Sequence, residues 1–244
     1  MSNIVFVQPP LTREERYGVK SQGGGETPPI GLAILAAMAR KNGFETAIID
    51  AERQRMSDEE VTKEIISKNF RHVGITSVTI AIDNAARLAQ AVKVADPGIT
   101  VIVGGPHLTA VPEETMKRYT VFDIGVIGEG DYTIIKLLKC LEGNGNLGDV
   151  KGIIFRRNGT THCTPPRTGV ENMDELPKPA WDLLPDLATH YCPPVHTLKR
   201  VPAALLVASR GCPMKCNFCA RSVFGNNCRA YSAEYTFEMI KGLM

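Results

Sequence analysis

Residues 99–105, ITVIVGG, are a short β-branched run that stops on two adjacent glycines. Four more such runs accompany it: NIVFVQ from residue 3, FETAIID from 44, HVGITSV from 72 and FDIGVIG from 122. Amphipathic stretches fill the gaps, the alternation expected of βα units laid on a parallel sheet. Leu32, Leu35, Ala36 and Ala39 share one helical face after Pro28-Pro29, and Gly43 ends that helix. Ser57 with Glu60 reads as a capping box ahead of Val61 and Ile65. Asp83 is expected to cap a third helix that turns Ala85, Leu88 and Val92 inward, before Asp96-Pro97-Gly98 turns the chain into the next strand. Pro112 starts a fourth helix, and a fifth follows Asp131 and ends near Gly143. The expectation is an α/β fold, a doubly wound five-stranded parallel sheet, over residues 1–143.

The pattern changes over 144–200. KGIIFRR, Asn158-Gly159 and TTHCT read as a hairpin, because Asn-Gly supplies the positive φ angles of a tight turn. An ordered, extended connector follows from about Pro165 to Pro194, with Pro177, Pro179, Pro185 and the only tryptophan, Trp181. VPAALLVAS, from Val201, reads as a new strand that opens a third region, 201–244. It leads into Arg210-Gly211-Cys212, which places a cysteine loop at the strand's C-terminal end.

Lys and Arg number 28 against 26 Asp and Glu, so no strong field draws the chain to nucleic acid or an anionic membrane. Small-molecule chemistry is the expectation. The apolar runs IGLAILAAMA and VPAALLVA are too short to span a bilayer, and MSNIVFVQPP lacks the layout of a secretory leader, so a cytoplasmic protein is expected. Seven cysteines, three of them within eight residues, suit metal ligation in a reducing compartment better than a disulfide framework. Cys140, Cys163 and Cys192 read as incidental or buried thiols.

Cys212, Cys216 and Cys219 form C-x-x-x-C-x-x-C. Thiolates at these spacings wrap one iron-sulfur cubane, and three of them leave one iron open to a substrate or cofactor. A zinc site or a ferredoxin-type cluster completed by Cys228 is the other reading, although Cys228 has no second C-x-x-C knuckle around it. At the carboxyl ends of the sheet strands, where open α/β sheets bind ligands, stand Gln8-Pro9-Pro10, Ser77-Val78-Thr79, Gly104 to His107 and Gly128-Glu129-Gly130. Gly23-Gly24-Gly25 lacks the Lys-Ser/Thr ending of a phosphate loop and reads as a flexible loop.

SRGCPMKCNFC, residues 209–219, resembles the radical S-adenosylmethionine superfamily. That resemblance implies a 4Fe-4S cluster on Cys212, Cys216 and Cys219, an open iron that chelates S-adenosyl-L-methionine, and Phe218 near the adenine. PPIGLAILA, VIVGGPH and VIGEGDYT resemble the cobalamin-binding domain that precedes the catalytic domain in many of these proteins. It implies that Ser77, Thr79, Gly104 and Gly105 surround the cobalamin nucleotide tail, with His107 and Gly128-Glu129-Gly130 as further contacts. Many such domains carry Asp-x-His-x-x-Gly after the first strand, where this chain has Gln8-Pro9-Pro10-Leu11-Thr12. Cobalamin would then bind base-off with no histidine on cobalt, or the domain has lost it.

SVFGNN and PAWDLLPDL look most like the group that includes the anaerobic magnesium-protoporphyrin monomethyl ester cyclases. The resemblance implies methyl transfer or radical cyclisation on a small-molecule substrate, with an external electron donor of flavodoxin or ferredoxin type. A (β/α)8 barrel takes about 250 residues, so 201–244 has room for one unit. The chain is therefore expected to be a fragment or shortened form with poor turnover alone. The second expectation is a non-catalytic cobalamin or tetrapyrrole module with a zinc- or cluster-binding cysteine tail.

Overall fold

The computed structural model describes residues 3–19, 24–194 and 200–244. Gly23 and His196 lie outside the described residues. The five expected strands form β1 (Asn3–Gln8), β2 (Glu45–Asp50), β3 (His72–Thr76), β4 (Thr100–Gly104) and β5 (Ile124–Val126), all parallel. Their spatial order is β2-β1-β3-β4-β5, so the winding reverses between β1 and β3.

The hairpin, expected within a separate linker, instead extends this sheet. β6 (Ile153–Arg157) pairs antiparallel with β5, and β7 (Thr160–Cys163) pairs with β6, which makes seven strands. Ile153 and Phe155 face one core while Ile154 faces the other, so β6 covers the β5 edge that would otherwise stay unpaired. Asn158 and Gly159 both take positive φ at the turn, 52° and 77°.

Short helices α1 (Arg13–Tyr17), α3 (Ala51–Gln54) and α9 (Leu187–His190) lie in connecting segments, and crossover helices cover both faces. On one lie α2 (Ile30–Lys41) and α8 (Asp131–Glu142), packed on Ile4, Phe6, Ile102 and Val126. On the other, α4 (Asp58–Ser67), α5 (Ile82–Ala95), α6 (Pro106–Ala110) and α7 (Pro112–Arg118) cover Val5, Val73, Val101 and Val103. The Ser57/Glu60 capping box forms with both of its hydrogen bonds. Asp83 does not cap α5. The helix begins one residue before it, and its carboxylate instead accepts from the Tyr119 hydroxyl at 2.6 Å.

The proline-rich connector is ordered against the α2 and α8 face. Val170, Met173, Leu176, Ala180 and Leu184 are buried there, the Ala180 N–H donates to the Ala33 carbonyl at 3.0 Å, and Arg40 pairs with Asp182 at 2.6 Å. Further along, the Tyr191 hydroxyl donates to the buried Asp50 carboxylate at 2.7 Å. Burial raises the Asp50 carboxyl above its ordinary range, against the lowering effect of the Tyr191 and Arg53 hydrogen bonds. A carboxyl raised in the folded state favours folding when protonated, and that contribution is lost as pH rises through the folded value. Asp50→Asn removes the charge, keeps one oxygen to accept from the Arg53 N–H, and turns the other into an amide that can donate to the Tyr191 hydroxyl, so it is expected to raise the unfolding temperature at pH 7. The gain should shrink below pH 4, as thermal melts across pH would show.

VPAALLVAS does not form the expected strand along its length. Only Ser209–Arg210 (β8) pairs, antiparallel, with Arg229–Ala230 (β9). Strand backbone needs a hydrogen-bonded neighbour, and over 201–208 the only backbone bond among the described residues is the one the Ala208 carbonyl accepts from the Tyr231 N–H at 3.0 Å. The helix α10 (Ala233–Lys241) follows, capped by the Ser232 side chain.

Candidate functional site

At the carboxyl ends of β1, β3, β4 and β5, on the α2 and α8 face, a cleft of about 300 Å³ opens. Its floor follows from strand register. Phe6 and Ile102 flank Gly74 across the sheet, and the missing side chain at Gly74 leaves a groove between two large apolar ones. A Cβ at Gly74 would lie 3.1 Å from the Phe6 ring. One pleat further on, Gln8, Thr76, Gly104 and Val126 edge the cleft, with Leu32 and Leu35 of α2 as one wall.

The two adjacent glycines have different reasons to be glycine. A Cβ at Gly104 would meet nothing nearer than 3.8 Å, so protein packing does not require the glycine and the space belongs to the cleft. Gly105 has φ +98°, and a Cβ there would lie 2.7 Å from the Ser77 carbonyl oxygen, so the turn itself requires it.

The roof comes from the cysteine segment. Val223 and Phe224 close over the cleft, and the Arg210 guanidinium carbon lies 5.4 Å from the Phe224 ring centre. Arg210 is held from below by the glycine loop after β5. It pairs with Asp131 at 2.6 and 3.2 Å and with Glu129 at 3.2 Å, and Arg229 pairs with the other Glu129 oxygen. Hydrogen bonds to Asp131 keep the Arg210 pKa above its ordinary value, although burial acts to lower it. The Arg210, Asp131 and Glu129 side chains are buried and Arg229 is partly so, and the charges are balanced within the protein. Arg210 lines the cleft and Arg229 shares Glu129 with it, and motif spacing singled out neither. The available signal was two arginines bracketing the cysteine loop and two carboxylates in GEGD.

Of the residues singled out from sequence, Gly104, Gly105, Gly128, Glu129 and Gly130 line the cleft. Glu129, however, already accepts from two arginines. Ser77, Thr79 and His107 lie behind the Gly105 turn, outside the lining. There the Ser77 N–H donates to the Gly104 carbonyl at 3.0 Å, the His107 N–H donates to the Ser77 carbonyl at 3.2 Å, and Thr79 Oγ1 is 3.2 Å from His107 Nδ1. Burial lowers the His107 pKa, which favours the neutral ring. No histidine lines the cleft among the described residues.

Cys212, Cys216 and Cys219 are free and exposed, and Phe218 is 92% exposed. No group of three or more Cys, His, Asp or Glu is gathered to hold a metal among the described residues. The donor set has the right chemistry for a cluster, three reachable thiols on one loop, but the loop is not closed around a metal.

The model of the B12 binding domain matches residues 18–138. The chain carries a B12 binding domain. Over 236 residues it is 34% identical to an uncharacterized methyltransferase of Pyrococcus horikoshii, a match that covers 96% of this chain and 49% of the relative. It is 29% identical to the anaerobic magnesium-protoporphyrin IX monomethyl ester cyclase of Rubrivivax gelatinosus, over 90% of this chain and 40% of that protein. The chain thus spans about half or less of the length of these curated relatives. Among solved structures, the cobalamin-dependent S-adenosylmethionine radical enzyme OxsB with aqua-cobalamin bound superposes at a TM-score of 0.79 and 20% identity. That match covers 100% of this chain and 32% of OxsB. The radical S-adenosylmethionine methyltransferase TsrM of Kitasatospora setae, with cobalamin and a [4Fe-4S] cluster, superposes at 0.70 and 15% identity, over 100% of this chain and 46% of TsrM. At these identities the likeness is one of fold, and it includes the mostly parallel sheet of the B12 binding domain. No helix among the described residues is long and apolar enough to cross a membrane.

Proposed function

We propose that this chain supplies the cobalamin cleft and the cluster loop of a cobalamin-dependent radical S-adenosylmethionine enzyme acting on a small-molecule substrate in the cytoplasm. The observation that carries the reading is the shared cleft: the B12 binding domain forms its floor, and the segment bearing the three cysteines forms its roof. Gly74 and Gly104 provide the opening for an inserted nucleotide tail, and Gly105, Gly128 and Gly130 bring backbone close to it. Ser77, Thr79 and His107 buttress the Gly105 turn from behind. The histidine-free lining supports a base-off cofactor with no histidine on cobalt.

Cys212, Cys216 and Cys219 would hold a 4Fe-4S cluster, with Phe218 beside the adenine of S-adenosyl-L-methionine. Metal binding commonly orders the loop that supplies the ligands, which accounts for thiols that are reachable but ungathered. The bound group supplies one-electron cleavage of the sulfonium, fed by an external donor of flavodoxin or ferredoxin type. Methyl transfer or cyclisation would follow above the cleft.

Two measurements test this. Titration with hydroxocobalamin should give a base-off absorption spectrum, whereas a spectrum with nitrogen below cobalt refutes that part. Anaerobic reconstitution with iron and sulfide should give a brown protein that forms deoxyadenosine from S-adenosyl-L-methionine, lost to background in Cys216→Ala. A colourless, zinc-loaded protein with no deoxyadenosine would favour the non-catalytic module.

A further inference from the structure

We propose that the groove between residues 166–171 and 222–229 is an anion subsite, in which Arg167 takes the phosphate or carboxylate of a molecule bound at the neighbouring cleft. The groove has a volume of about 440 Å³ and shares Gly128, Glu129, Val223 and Phe224 with the cleft. The other two cations of this junction are spent internally, Arg210 on Asp131 and Glu129, and Arg229 on Glu129 and the Val170 carbonyl. Arg167 is different. Its guanidinium makes no hydrogen bond or ion pair among the described residues, and its Nε is shut off from water with no acceptor. The side chain is only partly buried and lines the groove, so its unpaired Nη donors are open to a ligand that brings acceptors.

Placement and surroundings favour an anion. The Arg167 stem is seated on the β5–β6 connection, since a Cβ on Gly152 would lie 3.2 Å from Arg167 Cβ. Ser222, Asn226, Asn227 and Thr168 line the same groove with neutral hydrogen-bonding groups. Of the two carboxylates there, Glu129 is neutralised by arginines and Glu171 is exposed. A planar guanidinium with free donors matches the paired oxygens of a phosphate or carboxylate, which an ammonium does not.

The inference rests on the cleft being a ligand site, while the anion-binding step is tested by itself, with inorganic phosphate in an isothermal titration of the full chain. The wild type should bind one phosphate, Arg167→Gln at least tenfold more weakly, and Arg167→Lys in between. Because the Arg167 guanidinium makes no hydrogen bond or ion pair among the described residues, and Gln and Lys keep most of its stem, the variants should melt with the wild type. Repeating the titration on hydroxocobalamin-loaded protein separates the sources. Loss of phosphate binding assigns the site to the cofactor's own phosphodiester, and retained binding assigns it to an anionic group of the substrate. The proposal is overturned if Arg167→Gln binds phosphate like the wild type, or if the wild type binds none up to about 10 mM.

Discussion

Gly104→Leu is expected to weaken hydroxocobalamin binding by about 100-fold, roughly 2.8 kcal/mol, while leaving thermal stability near that of the wild type. The two halves of this expectation come from one position. Gly104 is the last residue of β4, has no positive φ, and would place a Cβ at ordinary contact distance, 3.8 Å, from the Val126 carbonyl oxygen. Strand backbone accepts a branched side chain there readily, often with a gain over glycine. The same side chain occupies the cleft edge between Thr76 and Val126, where an inserted ligand must pass.

Gly105→Ala serves as the contrast. Its φ and ψ of +98° and −176° lie in a region that only glycine occupies at low cost, and the backbone alone should lose about 1–3 kcal/mol before the contact with Ser77 is counted. Absorption titration and thermal melts of both variants distinguish the cases. Wild-type affinity in Gly104→Leu would remove the cleft as the cobalamin site.

The parts of this architecture that were legible in the sequence are those governed by local physics. A capping box is written within four residues, and Ser57 and Glu60 form it as read. The five parallel strands are β-branched runs whose burial pattern repeats along the chain. What sequence did not locate depends on partners far away. The hairpin carries its own turn signal in Asn158-Gly159, yet nothing within it states that Phe155 will sit opposite Ile124 and continue the sheet. The connector's anchors, Val170, Met173, Leu176, Ala180 and Leu184, follow no helical or strand period because the chain there is irregular and fits the α2 surface residue by residue. VPAALLVA has the composition of a strand, but only its last residue, Ala208, meets a backbone partner, the Tyr231 N–H.

The cleft follows the same division. Gly104-Gly105 stood out as a pair, but only the structure separates a glycine required by the turn from one that leaves space for a ligand. Glu129 stood out as a cofactor contact, and it lines the cleft while pairing with two arginines from about 80 and 100 residues further along the chain. Such a pairing leaves no periodicity to read.

Those arginines carry the second large effect. Arg210→Ala is expected to destabilise the fold by about 3–5 kcal/mol, because it leaves Asp131 and one oxygen of Glu129 as buried charges without their cation. Asp131 and Glu129 are 4% and 6% exposed, so water does not replace the lost partner. Arg229 still holds the other Glu129 oxygen, but both of its Nη groups are also committed to the Val170 and Phe224 carbonyls. If the cost comes from an orphaned charge rather than from lost packing, removing the charge on both sides should recover much of it. Arg210→Met with Asp131→Asn is then expected to be more stable than the sum of the single effects predicts, with a coupling of about 0.5–3 kcal/mol in denaturant unfolding. The single variant should also loosen the roof, since Arg210 stacks on Phe224 and leads directly into Gly211 and Cys212. Hydroxocobalamin affinity should therefore fall in Arg210→Ala even at temperatures where the sheet stays folded. Unchanged affinity there would mean that the cysteine segment rests on the cleft without closing it.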